Sequence, residues 1–205
     1  ISREKQAALS DSKDLPWYNK NYLLYLFLFL LTLVVFFQLL YTIPLFFKTN
    51  FGFDESQIGA LMALNGLIIA IIEMPLIYKI EQKFSTIFLV MMGGILIGIS
   101  FLALVVFSSF LVAALIFTLL VTVGEILSFP FSNTYALLFS KDHNRGKYMG
   151  LYTMTFSLSH IIAPMTGLYI AELYGFNTLW VAGAIICVLA SVLIMSTRMR
   201  KAQVR

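Results

Sequence analysis

The sequence predicts an all-α membrane protein with six transmembrane helices. Three observations support this prediction: 60% of the 205 residues are hydrophobic, they form long uninterrupted runs, and the charged residues lie between those runs. The mean hydropathy is +0.90. A helix that is apolar on every side is buried or lies in lipid, and about 20 apolar residues cross the hydrocarbon core of a bilayer. A soluble chain of this length cannot bury several such helices.

The apolar runs set the order of the elements. We predict spans over about residues 21–47, 55–78, 84–107, 110–138, 148–173 and 178–196. The first span is about 40 Å long at roughly 1.5 Å per residue, so we expect it to tilt or to project beyond the lipid. Together the spans form a lobe over residues 21–197. A polar tail or linker at residues 1–20 precedes it, and a basic tail at residues 198–205 follows it.

The basic residues predict the orientation of the chain. All 14 Lys and Arg residues except Lys48 fall on one side of the predicted membrane, in the two tails and in the loops after the second and fourth spans. The positive-inside rule then places both termini in the cytoplasm, and we expect a plasma (inner) membrane. Because these charges follow the loops and do not cluster on one soluble face, we expect no nucleic-acid partner.

Two segments carry a resemblance to a known family. Residues 38–80, QLLYTIPLFFKTNFGFDESQIGALMALNGLIIAIIEMPLIYKI, resemble the seventh helix, external loop and eighth helix of major facilitator superfamily transporters. Residues 144–167, NRGKYMGLYTMTFSLSHIIAPMTG, resemble the entry to that family's eleventh helix and a later element of it. The polar tail resembles the family's central linker. The family's best signature is a Gly/Asp/Arg-rich loop between its second and third helices, in the amino-terminal half. The loop KIEQK resembles a degenerate copy of it.

The resemblance implies that the chain is the carboxyl-terminal half of a transporter, a 3+3 inverted-repeat bundle that forms one lobe of the fold. It implies an amino-terminal six-helix lobe as partner, a small-molecule substrate held between the lobes, and alternating access. Two other interpretations remain open. In the first, the chain is a self-contained six-helix protein that dimerises into a transporter or channel. In the second, it is a structural membrane module without transport.

Three ionisable side chains inside the predicted spans are candidates for proton coupling: Glu125, Glu73 and His160. Such groups are costly in a bilayer and usually face a cavity or a partner. A buried carboxyl group can bind and release a proton, and histidine titrates near neutral pH. The alternatives are a structural acid for Glu125, an interface charge bonded to Lys79 or Lys83 for Glu73, and an interhelical hydrogen bond for His160. A couple between an acid and His160 is a further hypothesis.

Uncharged polar residues and prolines add further candidates. Gln38, Asn65 and Asn133 are candidates for the substrate cavity, although such groups often bond between helices. Four prolines are predicted to bend helices because each removes a backbone donor: Pro44, Pro75, Pro130 and Pro164. The family resemblance makes Arg145 a candidate for a cytoplasmic gate, whereas the positive-inside rule alone also accounts for it.

The sequence gives no support for catalysis. It contains no H-E-x-x-H, no G-x-S-x-G and no phosphate-binding G-x-x-x-x-G-K pattern. No cluster of residues has metal-ligand spacing, and we expect no cofactor and no metal. A proton gradient is the expected energy source if the protein transports.

Overall fold

The computed structural model describes residues 15–198, and this part of the chain is helical without strands. The predicted tails at residues 1–14 and 199–205 lie outside the described residues. Short 3-10 helices lie at Pro16–Tyr18 and Met195–Thr197. The α-helices are α1 (Lys20–Phe36), α2 (Gln38–Tyr41), α3 (Ile43–Asn50), α4 (Glu55–Ile80), α5 (Thr86–Val106), α6 (Phe110–Leu137), α7 (Arg145–Tyr174) and α8 (Phe176–Ile194).

Within residues 15–198, six helical segments are long and apolar enough to cross a membrane, which confirms the predicted fold class. They are Lys20–Tyr41, Glu55–Ile80, Thr86–Val106, Phe110–Leu137, Arg145–Tyr174 and Phe176–Thr197. We call them the first to sixth spans. The first consists of α1 and α2, and the others correspond to α4 to α8, the last with its closing 3-10 turn. Their limits differ from the predicted ones by a few residues, except in the first span.

The first span is not the single helix predicted over residues 21–47. The helix is interrupted at Phe37 and again at Thr42, and α3 then runs on to Asn50. Near the first interruption the side chain of Gln38 donates to the carbonyl of Val34, 3.1 Å away. After the second, Pro44 occupies the first turn of α3, where its missing amide is tolerated.

The most extensive contacts between the spans match the pattern of a three-plus-three repeat. The first span packs against the fifth and sixth, while the fourth packs against the second and third. Exchanging first with fourth, second with fifth and third with sixth converts one set of contacts into the other. The third and sixth spans also pack against each other, as this exchange requires.

Glycines allow the third and fourth spans to approach backbone to backbone. A Cβ atom on Gly93 would lie 2.6 Å from the carbonyl oxygen of Gly124, and one on Gly124 would lie 2.8 Å from that of Gly93. On the other side of the third span, Gly94 and Gly98 face the sixth span. A Cβ atom on Gly94 would meet the side chain of Ser191, and one on Gly98 would lie 3.1 Å from the carbonyl oxygen of Ala184. Small residues at such contacts are typical of helix association in membranes.

Burial is very uneven among the spans. Within their most apolar stretches, 61% of residues are buried in the first span but only 6% in the second and 22% in the fifth. Leu61 is the buried residue of α4. The second and fifth spans therefore leave broad faces uncovered on the described part of the chain.

We predict that Gly124→Ala destabilises the protein. The new methyl group would meet backbone atoms of the third span, which cannot move aside cheaply, and such overpacking costs about 1–3 kcal/mol. Gly66→Ala is the matched control, because a Cβ there meets nothing within 4 Å. Thermal unfolding in detergent should show a lower midpoint for Gly124→Ala alone. Equal midpoints would contradict the close contact.

Candidate functional site

An open pocket of about 470 Å³ lies between the second, fourth and fifth spans. It brings together Glu73, Glu125 and Asn133, three of the candidate residues, from two different helices. Its lining combines two carboxyl groups, one amide and several aromatic rings. The lining residues are Ile69, Glu73, Glu125, Ile126, Phe129, Pro130, Asn133, Tyr152 and Phe156.

Helical spacing explains why these side chains converge. Residues four apart lie on the same face of an α-helix, one turn above another. Each of the three spans carries a row of this kind toward the pocket. The rows are Asn65, Ile69 and Glu73 on the second span, Glu125, Phe129 and Asn133 on the fourth, and Tyr152 and Phe156 on the fifth.

Glu125 is the half-buried centre of a short hydrogen-bond chain. The amide nitrogen of Asn65 donates to Oε2 of Glu125 at 3.2 Å and to the hydroxyl of Thr122 at 2.9 Å. Thr122 in turn donates to the carbonyl of Thr118, so its oxygen is free to accept from Asn65. Among residues 15–198, the other carboxyl oxygen of Glu125 has no hydrogen-bond partner. One oxygen is therefore held by the second span while the other remains available in the pocket.

Glu73 lies two helical turns beyond Asn65, about 12 Å along the second span. Its side chain is half-buried and lines the same pocket as Glu125. Within the described residues it forms no ion pair, so the alternative of a bond to Lys79 or Lys83 is not observed. Glu73 thus adds a second uncompensated carboxyl group to the pocket.

Aromatic rings form one wall of the pocket. Phe129 and Phe156 meet edge to face with ring centroids 5.9 Å apart, and Tyr152 lies 5.4 Å from Phe156. The hydroxyl of Tyr152 is 2.6 Å from the hydroxyl of Ser132, which joins the fifth span to the fourth. Sequence reasoning missed this wall. The signal that could have found it is the spacing of four residues between Tyr152, Phe156 and His160.

His160 is exposed and lies outside this pocket. Its Nδ1 is 2.8 Å from the hydroxyl of Tyr41, and its ring lies against Phe37 with centroids 3.8 Å apart. Phe156 of the fifth span contacts Phe129 of the fourth span, and the two spans run antiparallel. His160 follows Phe156 by four residues, and Glu125 precedes Phe129 by four. His160 and Glu125 therefore lie at a similar depth. In the described residues His160 makes no hydrogen bond to Glu125 or Glu73, so the acid–histidine couple is not formed.

Gln38 is buried, and its hydrogen bonds join the first and fifth spans. Its amide nitrogen donates to the carbonyl of Ala163 at 2.9 Å, and its amide oxygen accepts from Thr42. Gly167 makes room for this side chain, since a Cβ atom there would overlap the Gln38 amide oxygen. Both ends of the amide are therefore engaged within the protein.

The four candidate prolines lie in two settings, inside a helix or at its start. Pro75, Pro130 and Pro164 lie inside continuous helices, whereas Pro44 follows the break at Thr42. Pro130 lines the pocket one turn after Ile126, whose carbonyl loses its helical partner to the proline.

Arg145 begins α7 and is exposed. It forms a local ion pair with Asp142, 3.1 Å away. Because both side chains are exposed and close in sequence, this pair contributes little to stability. On the described part of the chain, no group of three or more His, Cys, Asp or Glu residues is placed to hold a metal ion.

Comparison with known proteins gives one match. A family model described as Major Facilitator Superfamily matches residues 25–204, which extend from the first span through the sixth. No curated protein and no solved structure matches the chain. The match covers most of the sequence and names no substrate.

We predict that the pocket is open to water-soluble reagents whereas the packed side of the fourth span is not. In the full-length protein, Asn133→Cys should react with a hydrophilic maleimide, because Asn133 is exposed and lines the pocket. Ser128→Cys is the matched control on the same span, since Ser128 is fully buried. Cys187, also fully buried, serves as an internal control. Mass spectrometry of the labelled peptides measures the reaction, and equal labelling at positions 128 and 133 would contradict the assignment.

Proposed function

The chain belongs to the major facilitator superfamily, a family of membrane transporters, and we propose that it is the carboxyl-terminal lobe of a proton-coupled secondary transporter. In this proposal a small molecule binds between this lobe and an amino-terminal six-helix lobe. The two lobes then rock to expose the site to either side in turn. Both termini of the lobe lie in the cytoplasm, and the host is the plasma (inner) membrane.

The uneven burial of the spans supports a partner lobe. The second and fifth spans leave most of their residues uncovered, and both border the pocket that holds Glu125. A second lobe placed against these faces would cover the pocket and leave one or the other end open.

The setting of Glu125 carries the proposal of proton coupling. An uncompensated charge sealed away from water costs several kcal/mol, so closing the pocket favours a neutral state of the carboxyl group. Asn65 holds one oxygen of Glu125, and the other oxygen is open to a proton or a ligand. As the pocket opens and closes, a proton and the ligand would then replace each other as the partner that neutralises Glu125. A gradient of protons thereby becomes a driving force for the substrate.

Other candidate residues take secondary roles in this proposal. Glu73 lies along the row from Asn65 and would pass protons between Glu125 and one end of the second span. His160 and Tyr41 form a hydrogen-bonded pair at the depth of Glu125 on the neighbouring helix. Asn65 and Asn133 would position the bound molecule, and Arg145 would contribute to closure at the cytoplasmic end.

We predict that Glu125→Gln strongly reduces accumulation driven by a pH gradient while membrane insertion stays normal. Glutamine keeps the size of the side chain and its hydrogen bond to Asn65 but cannot exchange a proton. A thermal-shift screen of the full-length protein first identifies a compound that binds. Its uptake into proteoliposomes is then measured with and without an imposed pH gradient. We expect the gradient-dependent part to fall at least about tenfold, within the range of general acid–base effects.

The matched control is Glu172→Gln, which makes the same substitution at an exposed acid near the far end of the fifth span. It should leave gradient-driven uptake unchanged. Retention of full pH-driven accumulation in Glu125→Gln would remove this residue from the coupling mechanism.

A further inference from the structure

The pocket between the second, fourth and fifth spans has one sign of charge. Its lining contains the carboxyl groups of Glu73 and Glu125 and, within the described residues, no Lys or Arg. The nearest basic residue on the second span is Lys79, six residues beyond Glu73 and therefore about 9 Å farther along the helix. Lys79 is exposed near the end of its span. On the described part of the chain, the pocket thus has no counter-ion for either acid.

One proton cannot neutralise both acids of the pocket. Closing the pocket around two carboxyl groups requires that both be neutralised or paired, because like charges in a low-dielectric site repel each other strongly. A bound cation supplies one of these neutralising charges. An anionic molecule would add to the repulsion, so the lining discriminates against it.

The aromatic wall fixes the second property of the ligand. Phe129, Tyr152 and Phe156 present rings on the side of the pocket next to the acids. Tyr152 is buried, with its hydroxyl engaged by Ser132 and its ring stacked on Phe29, so the half-buried rings of Phe129 and Phe156 are what remains for a ligand. Aromatic faces attract cations and also bury apolar groups. A metal ion or a small hydrated cation would leave this wall unused.

The size of the pocket agrees with an organic molecule. Its volume of about 470 Å³ lies within the range of sites that hold drug-sized ligands. Asn133 adds one polar group that can orient such a molecule. The remaining lining is apolar.

We propose that the pocket binds an amphipathic organic cation, an amine or quaternary group attached to an aromatic or branched aliphatic body. This inference rests on the proposed transport function and names the substrate class of the same pocket. The positive group lies between Glu73 and Glu125, and the apolar body packs against Phe129 and Phe156. Ligand and proton compete for the same carboxyl groups, which links the substrate class to the coupling.

Two probes of the same shape and opposite charge test the proposal. Tetraphenylphosphonium is a permanent aromatic cation, and tetraphenylborate is its anionic counterpart. Binding of each to the full-length protein in detergent is measured by equilibrium dialysis, with protein-free detergent as the blank. We expect the cation to bind at least about tenfold more tightly than the anion, consistent with close charge pairing in a partly desolvated site.

Variants separate the contributions of charge and ring. Glu125→Gln and Glu73→Gln should each weaken binding of tetraphenylphosphonium about tenfold or more, while Glu125→Asp, which retains the charge, should keep the preference for the cation. Phe156→Leu should weaken it about threefold to tenfold through loss of the cation–ring contact. Glu172→Gln, outside the pocket, should change nothing. Size-exclusion profiles and thermal midpoints establish that each variant is folded.

Equal affinity for the two probes, or cation binding that survives both glutamine variants, would overturn the proposal. These outcomes are distinguishable from failure of the transport function. If uptake of some other compound depends on Glu125 and the pH gradient, transport stands and the substrate class is wrong. If the cation binds with the expected dependence but no proteoliposome accumulates it, the site stands and transport of this class is wrong.

Discussion

The close contact between the third and fourth spans is the constraint on which the site depends. Gly93 and Gly124 bring the two backbones together, and Gly94 and Gly98 let the sixth span pack closely against the third. Gly124 immediately precedes Glu125, so fixing the glycine against the third span turns the acid toward the second span. The packed side of the fourth helix thereby determines the direction of its polar side. The uncovered second span then supplies Asn65, the partner of Glu125.

Inside a bilayer, the hydrogen-bond partners of a polar side chain indicate its role. In a medium without water, polar groups are expected to find partners, and Gln38 does so with both ends of its amide. Glu125 and Glu73 behave differently, since part of their hydrogen-bonding capacity is unused within the described residues and both face an open pocket. This contrast separates groups that hold helices together from groups available to a proton or ligand. It also explains why Gln38, although polar and membrane-embedded, differs in setting from the acids.

Sequence patterns predicted the spans well because long apolar runs report directly on the bilayer. They did not predict the break at Phe37, near which the Gln38 side chain takes the carbonyl of Val34. The break at Thr42 lies two residues before Pro44, one of the prolines predicted to bend a helix. The candidates Glu73, Glu125 and Asn133 were found because polar residues are rare in such runs. Tyr152 and Phe156 were not found, since 19 Phe and 10 Tyr residues give no contrast. Which faces meet is decided by packing between distant segments, and no spacing within one helix encodes it.

The central claim is that Glu125 exchanges a proton inside the membrane. Infrared difference spectroscopy of the full-length protein in lipid detects this most directly, because a protonated carboxyl group has a carbonyl stretch distinct from that of a carboxylate. A step in pH should produce a carboxyl band that is missing from the spectrum of Glu125→Gln and present in that of Glu172→Gln. Identical difference spectra for Glu125→Gln and the unmodified protein would contradict the account.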